Sequence, residues 1–338
     1  MRGAAAAAVC LLCVGNATTN ATEPPGWLRT ISAYRAMAGL APVREESTWS
    51  ASVRAHAEYV SVTGLITHYE NPTVREFTRA GDEAGRNAIL GAWTDDRTDR
   101  QLIDLWMTAP FHALHVLDPR LERSAFASVH GGESSRFQSV AVLDVGRGRG
   151  PKVRVGAPIA FPGPGARVPL SRFESEYPSP LASCPGFTTP AGLPIVIQFS
   201  APPTAVEATL AAGGTVVEQC TITPAYTSSD PDEQATARRL LVQKNAVIIL
   251  PRQPLDVGTD YTVTVTTNGA TATWSFTVVE PGSQIDDLAV RAIVSATTVP
   301  TASTTPAAFG RQPPTTTTKR APPKPVAARV TIPATATG

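Results

Sequence analysis

Two of the five histidines in this 338-residue chain, His68 and His112, stand near the two ends of one stretch, Gly64 to Pro119. Each has an aromatic neighbour: Tyr69 follows His68 and Phe111 precedes His112. Imidazole changes charge near neutral pH, so it serves as general acid, general base or metal ligand. Glu70 and Glu83 follow His68 closely and could lend a carboxylate. Two imidazoles are fewer than the three protein ligands of a typical catalytic zinc site. Nucleophilic catalysis needs a nucleophile held against a base and an orienting acid, and no Gly-x-Ser-x-Gly elbow offers one. No glycine-rich phosphate loop follows a strand either. Gly146-Arg147-Gly148-Arg149-Gly150 reads instead as a flexible basic connection.

The formal net charge is +1. Without a broad basic surface to hold phosphates, nucleic acid is not an expected partner. Arginine outnumbers lysine, and alanine and proline abound, as in proteins of GC-rich genomes. Met1-Arg2-Gly3, an apolar run from Ala4 to Val14 and then Gly15-Asn16-Ala17 read as a secretory signal peptide over residues 1–21. That run is too short to span a bilayer as a mature helix, so no transmembrane anchor is expected after cleavage. Cys10 and Cys13 would leave with it. Cys184 and Cys220 then remain, in an exported chain, and are expected to form a disulfide.

The elements that must position the histidines follow from periodicity. Trp27, Leu28, Ile31, Tyr34 and Met37 recur at helical spacing and Gly39 ends that helix. A second helix is predicted from Ser47 or Thr48 to Gly64, and a third over residues 95–107. The period then changes to short strands, Phe126 to His130 and Phe137 to Val145. Helices followed by an antiparallel sheet predict an α+β domain over residues 22–147. His56 lies among alanines on the second helix and reads as a packing residue. His115 reads as a support for its turn and His130 as an exposed strand end. Trp49, Trp93 and Trp106 read as core.

The order Ile31-Ser32-Ala33-Tyr34-Arg35, Gly39-Leu40-Ala41-Pro42-Val43, His56-Ala57-Glu58-Tyr59, His68, Gly85-Arg86-Asn87, Trp106-Met107 and Pro110-Phe111-His112 resembles the CAP superfamily. That superfamily holds the cysteine-rich secretory proteins, the plant pathogenesis-related proteins and many exported bacterial proteins. The resemblance implies an α-β-α sandwich with a cleft lined by two histidines and two glutamates. His68 and His112 match the histidines, so they are the positions at which a divalent metal such as zinc would bind, although no cofactor is required. The glutamates do not carry over: Arg86 stands in the family's Gly-Glu-Asn, and Ala109 stands where animal and plant members have the other. A fixed positive charge at Arg86 would favour neutral imidazoles and repel a divalent cation. His68, His112, Glu70, Glu83, Arg86, Asn87 and Trp106 are therefore the candidate cleft residues.

A Gly/Pro/Arg-rich linker is expected over residues 148–180. The Thr- and Val-rich segment 181–280 has strand-like runs such as Leu193 to Phe199 and a hairpin signal at Asn268-Gly269. It resembles bacterial Ig-like domains, which implies an all-β sandwich. Residues 281–338, rich in Thr, Pro and Ala, read as a disordered tail. The functional expectation is a secreted or cell-wall-associated, non-enzymatic protein that binds a lipid, glycan or protein at the cell envelope. The alternatives are a metal-assisted hydrolase and a purely structural wall or adhesion protein.

Overall fold

The computed structural model describes residues 23–132, 135–152, 156–285 and 288. The expected signal peptide and all but the first residues of the expected tail lie outside the described residues.

Helix α1, Gly26–Met37, buries Trp27, Leu28, Ile31, Tyr34 and Met37, the face its spacing demanded. Gly39 takes φ +71, and its N–H bonds Ala36 O while Leu40 N–H bonds Arg35 O. That double closure is how a helix ends on a left-handed glycine. Helix α2, Ser50–Thr63, ends likewise at Gly64, φ +65. Helix α3 spans Arg79–Arg86 behind a Thr78 cap, and α4 spans Asp99–Thr108 behind a Thr98/Gln101 capping box. Helix α5, Pro110–Val116, opens with its proline in the first turn, where the missing N–H does no harm.

The strands Ala88–Trp93 and Phe126–His130 both pair antiparallel with Ser139–Asp144, which lies between them. Every residue of that central strand is buried. Ala141 and Leu143 join a core with Trp27, Leu102 and Trp106. Val140 and Val142 join a second one with Val53, Ala57 and Val60. Alternate side chains point to opposite faces, so α2 covers one face and α1 and α4 the other.

The rest of the chain departs from expectation in three places. The expected linker contains the strands Ile159–Phe161 and Arg167–Val168, which edge a four-stranded and a five-stranded sheet. Phe161, Val168 and Phe173 are fully buried; their apolar area outweighs the loop-like composition around them. Gly148 is not flexible: its carbonyl accepts from Glu122 N and Arg123 N, and a Cβ there would lie 1.7 Å from the Arg123 carbonyl oxygen. The segment expected to be all-β contains helix α6, Pro231–Lys244, capped by Asp230. Its buried apolar stripe is narrow (Ala237 and Leu241), and a weak period hides in the sequence. The predicted hairpin does form, with Asn268 at φ 52 and Gly269 at φ 75 between Asp260–Thr267 and Ala270–Val278. Cys184 and Cys220 are joined, 36 residues apart, and closing such a loop stabilises the fold by about 3–4 kcal/mol through the unfolded chain. No helix among the described residues is long and apolar enough to cross a membrane.

One hydrophobic cluster runs from Trp27 through both sheets to Leu288, so the core does not stop at residue 147. Polar groups bind the same junction. Arg35, 1% exposed, gives its guanidinium to the carbonyls of Ala41, Val116, Asp118 and Leu121 at 2.9, 2.6, 2.9 and 3.1 Å. Burial lowers its pKa to about 10. Gln198 donates to Leu117 O at 2.9 Å. Asp118 receives Lys244 Nζ at 2.7 Å and Arg120 Nη2 at 2.7 Å. Burial alone would raise the Asp118 pKa, but these partners hold it far below the carboxylate range. Replacing Asp118 with alanine strands the Lys244 ammonium in the core. Urea titration of Asp118→Ala should show a loss of about 3–5 kcal/mol; an unchanged midpoint would mean that water reaches the lysine.

Candidate functional site

His68 lies in the loop between α2 and α3, and a buried network beneath it fixes that loop. The ring of His56, on α2, is fully buried. Its Nδ1 lies 3.0 Å from Glu70 Oε1 and its Nε2 2.9 Å from Thr67 O. A carbonyl can only accept, so the ring donates its Nε2–H to Thr67 O. The other Glu70 oxygen accepts Thr78 N at 2.8 Å, and the Glu70 amide donates to Asp82 Oδ1 at 2.9 Å. The Tyr59 hydroxyl accepts Asn71 N at 2.9 Å. The loop is thereby hung from both helices.

Gly85 makes the next link. A Cβ there would lie 2.3 Å from the His56 ring, so only glycine permits this approach. Its carbonyl accepts a hydrogen bond from His68 Nδ1 at 2.9 Å. His68 keeps an exposed edge. Burial of the rest of the ring lowers its pKa; the Gly85 bond opposes that shift, while charge on His56 and His112 adds to it. His68 is therefore a neutral imidazole at pH 7, with its proton on Nδ1 and its lone pair on Nε2.

His112 is held in the same manner by a different partner. It lies half-buried on α5, with Nδ1 2.9 Å from Glu176 Oε2. The Glu176 carboxylate also accepts Phe111 N, at 3.1 Å from each oxygen, and His112 N at 3.3 Å. Those amides are in the first turn of α5, where no intrahelical acceptor exists. The Glu176 side chain is 1% exposed. Burial raises its pKa, and the His112 hydrogen bond and charge work against that.

The remaining candidates are dispersed. Glu70 turns inward to His56, as described, and Glu83 is exposed on α3. Arg86 is half exposed; its Nε donates to Asp82 Oδ2 at 2.8 Å and its guanidinium lies 4.4 Å above the Tyr69 ring. The hydrogen bond to Asp82 raises the Arg86 pKa and lowers that of Asp82. Asn87 donates to Glu83 O at 2.9 Å, closing α3. Trp106 is core, set edge-on to Phe126 at 6.2 Å, with its buried Nε1 unpaired. His115 is pushed well below the usual imidazole pKa by burial and by the charges on Lys244, His112 and Arg149, against the opposing charge of Asp118. Leu65, Ile66 and Tyr69 are exposed beside His68, and Tyr177 beside Glu176. Glu176 is the residue sequence reasoning missed. Its only signal was an interruption of the Gly/Pro-rich run by Phe173-Glu174-Ser175-Glu176-Tyr177.

Among the described residues, no group of three or more His, Cys, Asp or Glu side chains is arranged to hold a metal. What the chain does offer is two imidazoles, His68 and His112, each anchored through Nδ1.

Residues 28–143 match the family described as CAP, the Cysteine-rich secretory protein family, and this stretch is a CAP domain. No curated protein and no solved structure gives a significant match to the chain.

Two outcomes follow from the network. His56→Leu leaves the Glu70 carboxylate buried without its partner and should destabilise the fold by about 3–5 kcal/mol in urea; adding Glu70→Leu should recover part of that loss. The lowered pKa values of His68 and His115 mean that the unfolded chain, titrating near 6.5, binds protons that the folded chain refuses. Stability should therefore fall as pH drops from 7.5 to 5.5. Denaturation midpoints at the two pH values check this, and His115→Gln should flatten the slope.

Proposed function

We propose that the chain is an exported binding protein whose CAP domain takes its ligand at the His68–His112 pair, with the second domain serving as its Ig-like support. The single observation behind this reading is the anchoring of both rings through Nδ1, to Gly85 O and to Glu176. Each ring is thereby fixed in orientation with Nε2 left for a ligand. The exposed Leu65, Ile66 and Tyr69 beside His68 add an apolar rim that suits a lipid, a glycan or a protein at the cell envelope. The signal-like N-terminus and the Cys184–Cys220 disulfide support export. The hydrolytic reading would have to draw its carboxylate from Glu83, exposed on α3, because Glu70 is committed to His56 and Thr78.

The test sets the full chain against a His68→Ala, His112→Ala double variant on a glycan array, lipid vesicles and envelope-protein extracts. A ligand held by the wild type and bound at least tenfold more weakly by the double variant is the expected result. Turnover of a peptide, ester or cell-wall polymer that vanishes in the double variant would replace this reading with the hydrolase.

A further inference from the structure

We propose that Glu176 is the positioning residue of this site: a carboxylate from beyond the CAP match fixes His112 through Nδ1, so chain outside that match decides which ring nitrogen meets the ligand. The inference rests on the cleft-binding reading for its functional meaning and on geometry for its substance.

The carboxylate is well placed for that role. With its side chain 1% exposed, Glu176 has two oxygens and spends both on α5, accepting from Phe111 N, His112 N and His112 Nδ1. A carboxylate can only accept, so the bond requires a hydrogen on Nδ1. Nε2 is then the nitrogen left to the ligand. Such an outer partner orients a ring and tunes its basicity whatever the inner ligand is.

The chain carrying Glu176 is itself gripped from the far side. Ser179 N donates to Glu233 Oε1 at 2.7 Å, and Tyr226 donates its hydroxyl to Ser179 O at 2.7 Å. The Tyr226 ring packs edge-on against Phe111, at 6.0 Å. Segment 176–179 is thus clamped between α5 and the start of α6. A shift of α6 relative to α5 moves the carboxylate and with it the ring. His68 has no such dependence, because its anchor, Gly85 O, belongs to the CAP domain itself.

The experiment reads the imidazole tautomers by long-range proton–nitrogen NMR on the full chain, at a pH where the rings are neutral, and needs no ligand. In the wild type both His68 and His112 should show a protonated Nδ1 and a bare Nε2. Glu176→Ala should shift His112 to the averaged pattern of a free imidazole and leave His68 unchanged. Glu176→Gln keeps the side-chain shape should the alanine variant fail to fold. Its amide cannot accept from the ring and from both backbone amides at once, so it too should perturb His112. Glu174→Gln, at an exposed carboxylate paired with Arg172, is the control and should change neither ring. An averaged His112 in the wild type, or one unmoved in the Gln variant, overturns the proposal. The ligand found by the arrays should bind about tenfold more weakly to Glu176→Gln. Undiminished binding there, with loss in the double histidine variant, sinks the positioning role and spares the cleft reading. An array without hits sinks the cleft reading and leaves the tautomer result standing.

Discussion

A helix of seven residues cannot support itself in water, since nucleating a turn is unfavourable and few bonds follow to offset it. Helix α5 is such a helix, and it carries His112. It persists because its two ends are satisfied from elsewhere. Glu176 accepts the first amides, placing negative charge at the positive end of the helix. Arg35 and Gln198 donate to the carbonyls at and just past its last turn, with positive charge at the negative end. Neither end is capped by a residue of its own sequence neighbourhood. The position of the His112 imidazole is therefore a property of three distant segments, and it moves if any of them does.

The two histidines are held by opposite strategies. His68 depends on a local device, the His56–Glu70 pair and the close approach of Gly85, all within about thirty residues of chain. His112 depends on contacts spanning more than sixty residues in one direction and about eighty in the other. Local devices tolerate rearrangement of remote domains. Remote ones transmit it.

What the sequence made legible divides along the same line. Helix α1 and its glycine stop, two of the three strands of the first sheet and the Asn268-Gly269 turn were readable because each is written in adjacent residues, and the Cys184–Cys220 bond because no other cysteine remained; the strand Ala88–Trp93 was not foreseen. His68 and His112 were singled out by the order of motifs. Glu176 was not, because a carboxylate in a Gly/Pro-rich run gives no sign of which helix it will meet. Glu70 and Trp106 stand at the right distance in sequence, but burial turns one toward His56 and the other into the aromatic core. Arg86 raised the prospect of a positive charge among the imidazoles, yet an i,i+4 partner, Asp82, and the Tyr69 face hold it elsewhere. The strands at Ile159–Phe161 and Arg167–Val168 were hidden because prolines and glycines around them suggested a loop, while their few apolar residues decided the matter.

The continuous cluster from Trp27 to Leu288 separates two notions that often coincide. Residues 28–143 are the portion that the CAP family match covers. They are not a unit of folding, since the inner sides of α1 and α5 rest on residues beyond that boundary, among them Phe161 and Tyr226. Excision at the border of that match would bare an oily wall. The chain beyond residue 143 forms one wall of the first part's interior.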